Sequence, residues 1–260
     1  MKLNNKNNAM QTLAEKLYPL IVIIAVWYLL HYFTDSRIVP APHIVLMELV
    51  KSASVLMSHV IASMFRILIA IFIILGIGIP LGLWISTHER VDRFVSPIIY
   101  ALYPVPKIAF LPLFMLFFGL GDTSKIILIC TILIFQILLS IRDSVKGLNK
   151  EYFYAIKSLG ANTLQIYRHM IFPVILPNIL TALRISVGTS ISVLFFAENY
   201  ATAYGVGYFI MDSWMKLDYT AMFAGIVAIS LMGIVIFKGI DILERGLCKW
   251  KIHDKFNSPI

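Results

Sequence analysis

Few residues in this chain have the types and spacing that chemistry needs. His31, His43, His59, His88, His169 and His253 are dispersed, HExxH is absent, and no nucleophilic triad sits on one span, so neither a metal hydrolase nor a triad enzyme is indicated. No Gly-Lys dipeptide occurs anywhere, which excludes a Walker A phosphate loop; ATP is not bound here by that device. Cys130 lies in an apolar run and Cys248 near the C-terminus, without a CxxC pair or a disulfide framework. The remaining candidates are polar residues in apolar surroundings. Pro97, Pro104, Pro106 and Pro112 interrupt one hydrophobic run, with Lys107 among them. Irregular backbone and a cation at membrane depth are tolerated where they are buried in protein or face a water-filled cavity. Pro104, Pro106 and Lys107 are therefore candidate pathway or gate residues, the competing reading being a kinked, packed helix. Glu198, followed by Tyr200, Tyr204, Gly205, Gly207, Tyr208, Asp212 and Trp214, suggests an aromatic and acidic outer mouth in which Glu198, Tyr204 and Asp212 are the candidates. An ordinary interfacial aromatic belt would look the same.

These residues need long apolar helices to position them. The chain has 260 residues, 59% hydrophobic and 14% charged, against about 25% charged in a soluble domain. It reads as an all-α integral membrane protein. A net charge of +8 could indicate nucleic acid, but the basic residues are scattered between apolar runs, so no nucleic-acid face is expected. A span needs about 20 residues. Six segments qualify, approximately 17–34, 60–86, 94–118, 123–141, 174–197 and 220–243. The first follows Lys2, Lys6 and Lys16 without a small-x-small cleavage pattern, as an uncleaved anchor would. Between the first two spans, Pro40-Ala41-Pro42 and then Ile44, Met47, Leu49, Val50 and Leu56 predict an amphipathic helix at the outer surface.

Six spans put both termini on one side, and the positive-inside rule says which. With cytoplasmic termini, the inner segments hold Lys2, Lys6, Lys16, Arg90, Arg93, Arg142, Lys146, Lys150, Lys157, Arg168, Lys238, Arg245, Lys249, Lys251 and Lys255. The outer ones hold Arg37, Lys51, Arg66, Lys125 and Lys216, with Lys107 and Arg184 assigned to neither side. Arg66 is expected to snorkel to the outer interface, and Arg184 to pair with the 151–177 segment or with Asp143.

That segment, 151–177, is helical in pattern yet too polar to cross a bilayer, and the charge count makes it cytoplasmic. Tyr152, Ala155, Ile156 and Leu159 recur at helical spacing, and Gly160 suits the left-handed residue that ends a helix. Asn162 and Gln165 predict a capping box for a second helix with a stripe of Leu164, Tyr167 and Ile171, ending at Phe172-Pro173. A lipid-lying hairpin would share this pattern.

The order Ala155, Leu159-Gly160-Ala161, Phe172-Pro173 and Leu176-Pro177 resembles the EAA loop of binding-protein-dependent ABC importer permeases. The resemblance continues through PVPKIAFLPLFMLFFGLGDTSK, ALRISVG, AENYATAYGVGYFIMDSW and FAGI, spans roughly 59–250, and looks like the nitrate/sulfonate/taurine branch. The Glu-Ala-Ala positions are here Tyr154, Ala155 and Ile156, so the usual acidic group is missing; Glu151, three residues earlier on the same face, can stand in for it or merely favour the helix N-terminus. The resemblance implies a six-span permease of the type I importer architecture, acting without its own ATPase site. It divides the chain into an N-terminal anchor and amphipathic segment, 1–58, a permease domain, 59–250, and a cytoplasmic tail, 251–260. It implies coupling through Glu151, Tyr154, Ala155, Ile156, Leu159, Gly160, Ala161, Asn162, Leu164, Pro173 and Pro177. The implied partners are two copies of an ABC ATPase that hold the ATP and magnesium, an extracytoplasmic substrate-binding protein, a second permease copy across a two-fold axis, and the bilayer. Nitrate, sulfonates, taurine, bicarbonate, thiamine-pyrimidine precursors and flavins all fit the branch. The alternative class is a secondary transporter or channel, disfavoured because the middles of the spans hold no Asp or Glu and no repeat is evident.

Overall fold

The computed structural model describes residues 3–35 and 37–250, and the side chains of 17–35, 37–149 and 151–250. The expected tail 251–260, with Lys251 and Lys255, and Lys2 lie outside the described residues. Every regular element described is a helix: α1 (Leu3–Phe33), α2 (Pro42–Lys51), α3 (Ala53–Thr87), α4 (Glu89–Leu102), a 3-10 turn (Lys107–Phe110), α5 (Leu111–Phe118), α6 (Asp122–Lys146), α7 (Lys150–Ser158), α8 (Thr163–Ile166), a π turn (Tyr167–Ile171), α9 (Phe172–Ala197), α10 (Val206–Met215) and α11 (Tyr219–Leu247).

Four helices among the described residues are long and apolar enough to cross a bilayer: Ala53–Thr87, Asp122–Lys146, Thr163–Ala197 and Tyr219–Leu247. The expected third span is a pair, Glu89–Leu102 and Lys107–Phe118, bent by 87° at Pro104 and Pro106. The expected first span is a shorter apolar helix, Leu17–Phe33, inside α1.

α6 is the centre of the bundle, with α3 on one side and α9 on the other. The reason is a four-residue repeat: Ile129, Leu133, Ile137 and Ile141 are each 0% exposed, and they meet Ile67, Ala70 and Ile74 of α3 and Ile175, Ile179 and Leu183 of α9 in one core. Lipid is as apolar as these side chains, so close fit and not water exclusion holds the helices together. Gly82 marks the tightest point, since a β-carbon there would lie 2.8 Å from Ile141 Cδ1. Met232, Ile236 and Ile240 add α11 to the same core. α2 forms where an amphipathic helix was expected, but its packed face is Val45, beside Ala224 and Ala228 of α11 with Leu49 at the edge, whereas Ile44, Met47 and Val50 of the expected stripe are exposed. Trp27 Nε1 of α1 donates to Pro40 O at 3.1 Å.

Contrary to expectation, the chain does not break at Phe172-Pro173. The Phe172 N–H returns to Tyr167 O, five residues back, and this wider π turn re-phases the ladder so that Pro173 falls in the first turn of α9, where its missing donor is not required. The helix therefore continues from Thr163 to Ala197.

Candidate functional site

At the end of the bundle where 151–177 lies, local hydrogen bonding shapes the segment. Asn149 caps α7 by accepting from the Glu151 N–H at 3.1 Å, and its amide donates to Glu151 Oε2 at 3.2 Å. α7 ends as predicted on Gly160 at φ 77°, with the Ala161 N–H on Ile156 O and the Gly160 N–H on Lys157 O, the paired bonds of a Schellman turn. The predicted capping box is formed: Asn162 Oδ1 accepts from Gln165 N at 2.9 Å and Gln165 Oε1 from Asn162 N at 2.8 Å. Tyr167 ties the π turn to the end of α3 by donating to Thr87 Oγ1 at 2.8 Å.

The apolar stripe expected on α7 divides between two faces. Phe153, which sequence reasoning passed over, turns inward with Ile156 and packs on the core, as do Ala161 and Ile166. The expected stripe of α8 divides likewise: Tyr167 and Ile171 pack inward while Leu164 faces out. The outward face carries Tyr152, Tyr154, Ala155, Leu159 and Leu164, with Leu159 86% and Leu164 74% exposed. Glu151 is exposed beside Tyr154, Pro173 is half-buried and Pro177 is buried in α9.

Two ion clusters brace this end. Asp92, buried on α4, accepts from Arg142 Nε and Ser96 Oγ at 2.5 Å each and also binds Lys146 Nζ, so α4 is fastened to α6. The i, i+4 spacing of Asp92 with Ser96 and of Arg142 with Lys146 was the available signal. Arg184 reaches neither the loop nor Asp143; it donates to Asp241 at 2.5 Å and Glu244 at 2.9 Å, because α9 also packs against α11.

Midway along the bundle the bend opens a cavity of about 380 Å³ between α6 and α9, lined by Tyr103, Val105, Pro106, Lys107, Ile108, Ile132, Phe135, Gln136, Ile185, Ser186, Thr189 and Val193. Pro106 and Lys107 of the predicted candidates line it; Pro104 does not. Gln136, Ser186 and Thr189 were not singled out, although a glutamine in the middle of an apolar span was a legible sign.

At the opposite end, Glu198 is not part of an open mouth. It is 0% exposed, and its carboxylate accepts from Arg66 Nη1 at 2.5 Å, Ser63 Oγ at 2.7 Å and the Gly207 N–H at 2.8 Å. Arg66, 3% exposed, does not snorkel, because it is also held by Asp122 at 2.7 Å and Tyr204 O at 2.9 Å. His59 Nδ1 accepts from the Gly205 N–H at 3.1 Å. His59, Ser63 and Arg66 follow one face of α3 at i, i+4 and i+7, a pattern the sequence offered. Tyr204 covers the cluster with its side 60% exposed, and Asp212 binds Lys216 at 2.6 Å, holding that ammonium above the ordinary lysine range. Among the described residues no group of histidine, cysteine and carboxylate side chains is placed to hold a metal.

Residues 74–249 match the family described as binding-protein-dependent transport system inner membrane component. The chain is 33% identical over 240 residues to the taurine transport system permease protein TauC of Escherichia coli, covering 89% of this chain and 87% of that one. It is 30% identical over 235 residues to the putative aliphatic sulfonates transport permease protein SsuC of Bacillus subtilis, covering 88% and 85%. It is also 30% identical over 243 residues to the formylaminopyrimidine transport permease protein ThiX of Halalkalibacterium halodurans, covering 93% and 97%. Its fold is similar to a chain from the inward-facing MetNI methionine ABC transporter, at TM-score 0.66 and 19% identity, covering 75% of this chain and 97% of that one.

Proposed function

The chain belongs to the binding-protein-dependent transport system inner membrane components, and from that premise we propose how this permease couples to its ATPase and what it carries. It is the integral membrane subunit of an importer, working with an ATPase and a binding protein. The supporting observation for coupling is the outward face of α7 and α8. Leu159, the residue that caps the end of α7, and Leu164 of α8 lie bare on a segment already moored to the core by Phe153 and Ile156, so burying them against a partner costs little ordering. Burial of a leucine contributes about 1.5–3 kcal/mol. A largely apolar dock also accounts for Tyr154 standing where an acidic residue is usual.

The unbroken helix from Thr163 to Ala197 carries both Leu164 of this face and the cavity-lining residues Ile185 to Val193. Between Leu164 and Ile185 lie about 30 Å of helix at 1.5 Å per residue. ATP-driven approach of two ATPase subunits, which hold the nucleotide and magnesium, would thereby move the cavity wall of each permease copy and alternate its access. In this reading the permease has no ATPase site of its own, pairs with a second copy across a two-fold axis, keeps both termini in the cytoplasm, and carries a small solute of the kind its relatives' names give: taurine, aliphatic sulfonates or formylaminopyrimidine.

The test is co-purification. Leu159→Asp in the full chain, co-expressed with the ATPase of its transport system, should reduce recovery of the ATPase about tenfold or more while the permease remains membrane-inserted and monodisperse. Undiminished recovery would remove the coupling role.

A further inference from the structure

From the cavity at the bend we infer a site for a small anion with an apolar body, such as an alkyl sulfonate, on the translocation route. This deepens the permease reading and rests on it. Gln136 lies 14 residues from the start of α6 and 10 from its end, about 21 Å and 15 Å along the helix, so the cavity is near mid-membrane.

Its one cation is Lys107. Nζ donates to Leu102 O at 2.6 Å, Tyr103 O at 2.9 Å and Val105 O at 2.8 Å, and lies 4.6 Å from the Phe135 ring centroid. Two of these carbonyls end α4 and the third belongs to the bend, so the lysine holds the bend open and is itself held in place. Carbonyl dipoles do not cancel a full charge, and among the described residues Lys107 makes no ion pair. The lining contains no carboxylate. A fixed, uncompensated positive charge at this depth attracts anions and repels cations.

The direct donor comes from Gln136. Its Oε1 accepts from Tyr103 Oη at 2.7 Å, which orients the amide, and its Nε2 meets no acceptor among the described residues. Lys107 supplies the field, Gln136 supplies hydrogen bonds to an oxyanion, and Ile132, Ile185 and Val193 offer an apolar wall to the rest of the solute. A volume of about 380 Å³ admits a small organic anion without a close cage, as a transit site requires.

The experiment uses the full chain in lipid nanodiscs and trifluoromethanesulfonate as probe, followed by fluorine NMR line broadening. Ethanesulfonate should displace the probe and tetramethylammonium should not. Gln136→Glu keeps the Tyr103 bond and leaves the lysine untouched; it should weaken probe binding about tenfold and make the site responsive to tetramethylammonium, a reversal that a packing defect would not produce. Lys107→Gln should weaken binding to a similar extent, and Lys107→Arg should retain it. No probe binding by the wild type, equal displacement by the cation, or unchanged affinity in Gln136→Glu would overturn the site. ATPase co-purification from the same preparations separates the outcomes: intact co-purification without anion binding removes this site alone, whereas failure of the wild type to retain the ATPase removes the reading beneath it.

Discussion

Gly205 shows how a single residue decides whether the end of the bundle that holds Glu198 and Arg66 closes. It sits at φ 146°, and a β-carbon there would lie 2.3 Å from Glu198 Cδ, inside the carboxylate that Arg66, Ser63 and Gly207 surround. Overpacking costs about 1–3 kcal/mol, to which the unfavourable φ adds. Gly205→Ala should therefore lower the melting temperature of the purified chain, followed by loss of the monodisperse gel-filtration peak, and Glu198→Ala should lower it further by leaving Arg66 buried with one acidic partner fewer. A melting temperature unchanged by both substitutions would refute the account of this cluster. Gly160 is a different case. A β-carbon there meets nothing within 4 Å, so only its φ of 77° matters, and a β-branched residue at that angle costs about 1–2 kcal/mol. Gly160→Val should leave insertion and core stability intact while uncoupling uptake from ATP hydrolysis; wild-type uptake and ATPase stimulation would contradict it.

Among the elements, α4 and α6 depend on one carboxylate. Asp92→Asn leaves the Arg142 and Lys146 cations without their shared counter-charge, and since Lys146 is 44% exposed the loss should be about 1–3 kcal/mol, below that of a fully buried pair. The check is a thermal melt at low and high salt, in which the wild-type advantage persists at high salt because Arg142 and Asp92 are largely shielded from solvent. Equal melting of the two proteins would show that the bent pair is held by packing alone. Glu151 belongs to the same scale. Its carboxylate accepts from the cap residue Asn149, so Glu151→Gln should cost α7 about 0.3–1 kcal/mol and leave ATPase recovery unchanged; a large loss of recovery would mean the carboxylate docks after all.

For the molecule as a whole, the distribution of Lys and Arg predicts an orientation that can be measured. In a background lacking Cys130 and Cys248, a cysteine at Asn149 should react with impermeant maleimide only from the cytoplasmic side, and one at Asp218 only from outside. Labelling of position 149 from outside would invert the assignment, and with it the side on which an ATPase could meet Leu159.

Much of this was legible in the sequence because it rests on local physics. Long apolar runs specify helices in a bilayer, Asn162 with Gln165 and Gly160 specify caps and a turn within a few residues, and the Lys and Arg distribution bears on sidedness without any contact map. The relation to importer permeases was carried by such local motifs. Pairings distant in sequence were not legible. Arg66 was assigned to the interface because nothing near it in the chain can satisfy a guanidinium; its partners Asp122 and Glu198 are 56 and 132 residues away and are brought to it only when α3, α6 and the end of α9 pack. Arg184 found α11 for the same reason. Phe153 and Leu159 are both apolar on one short helix, and only docking onto the core decides which is buried and which is left bare. The continuity through Pro173 also escaped the sequence, because a proline stops a regular ladder but not one that a π turn has re-phased.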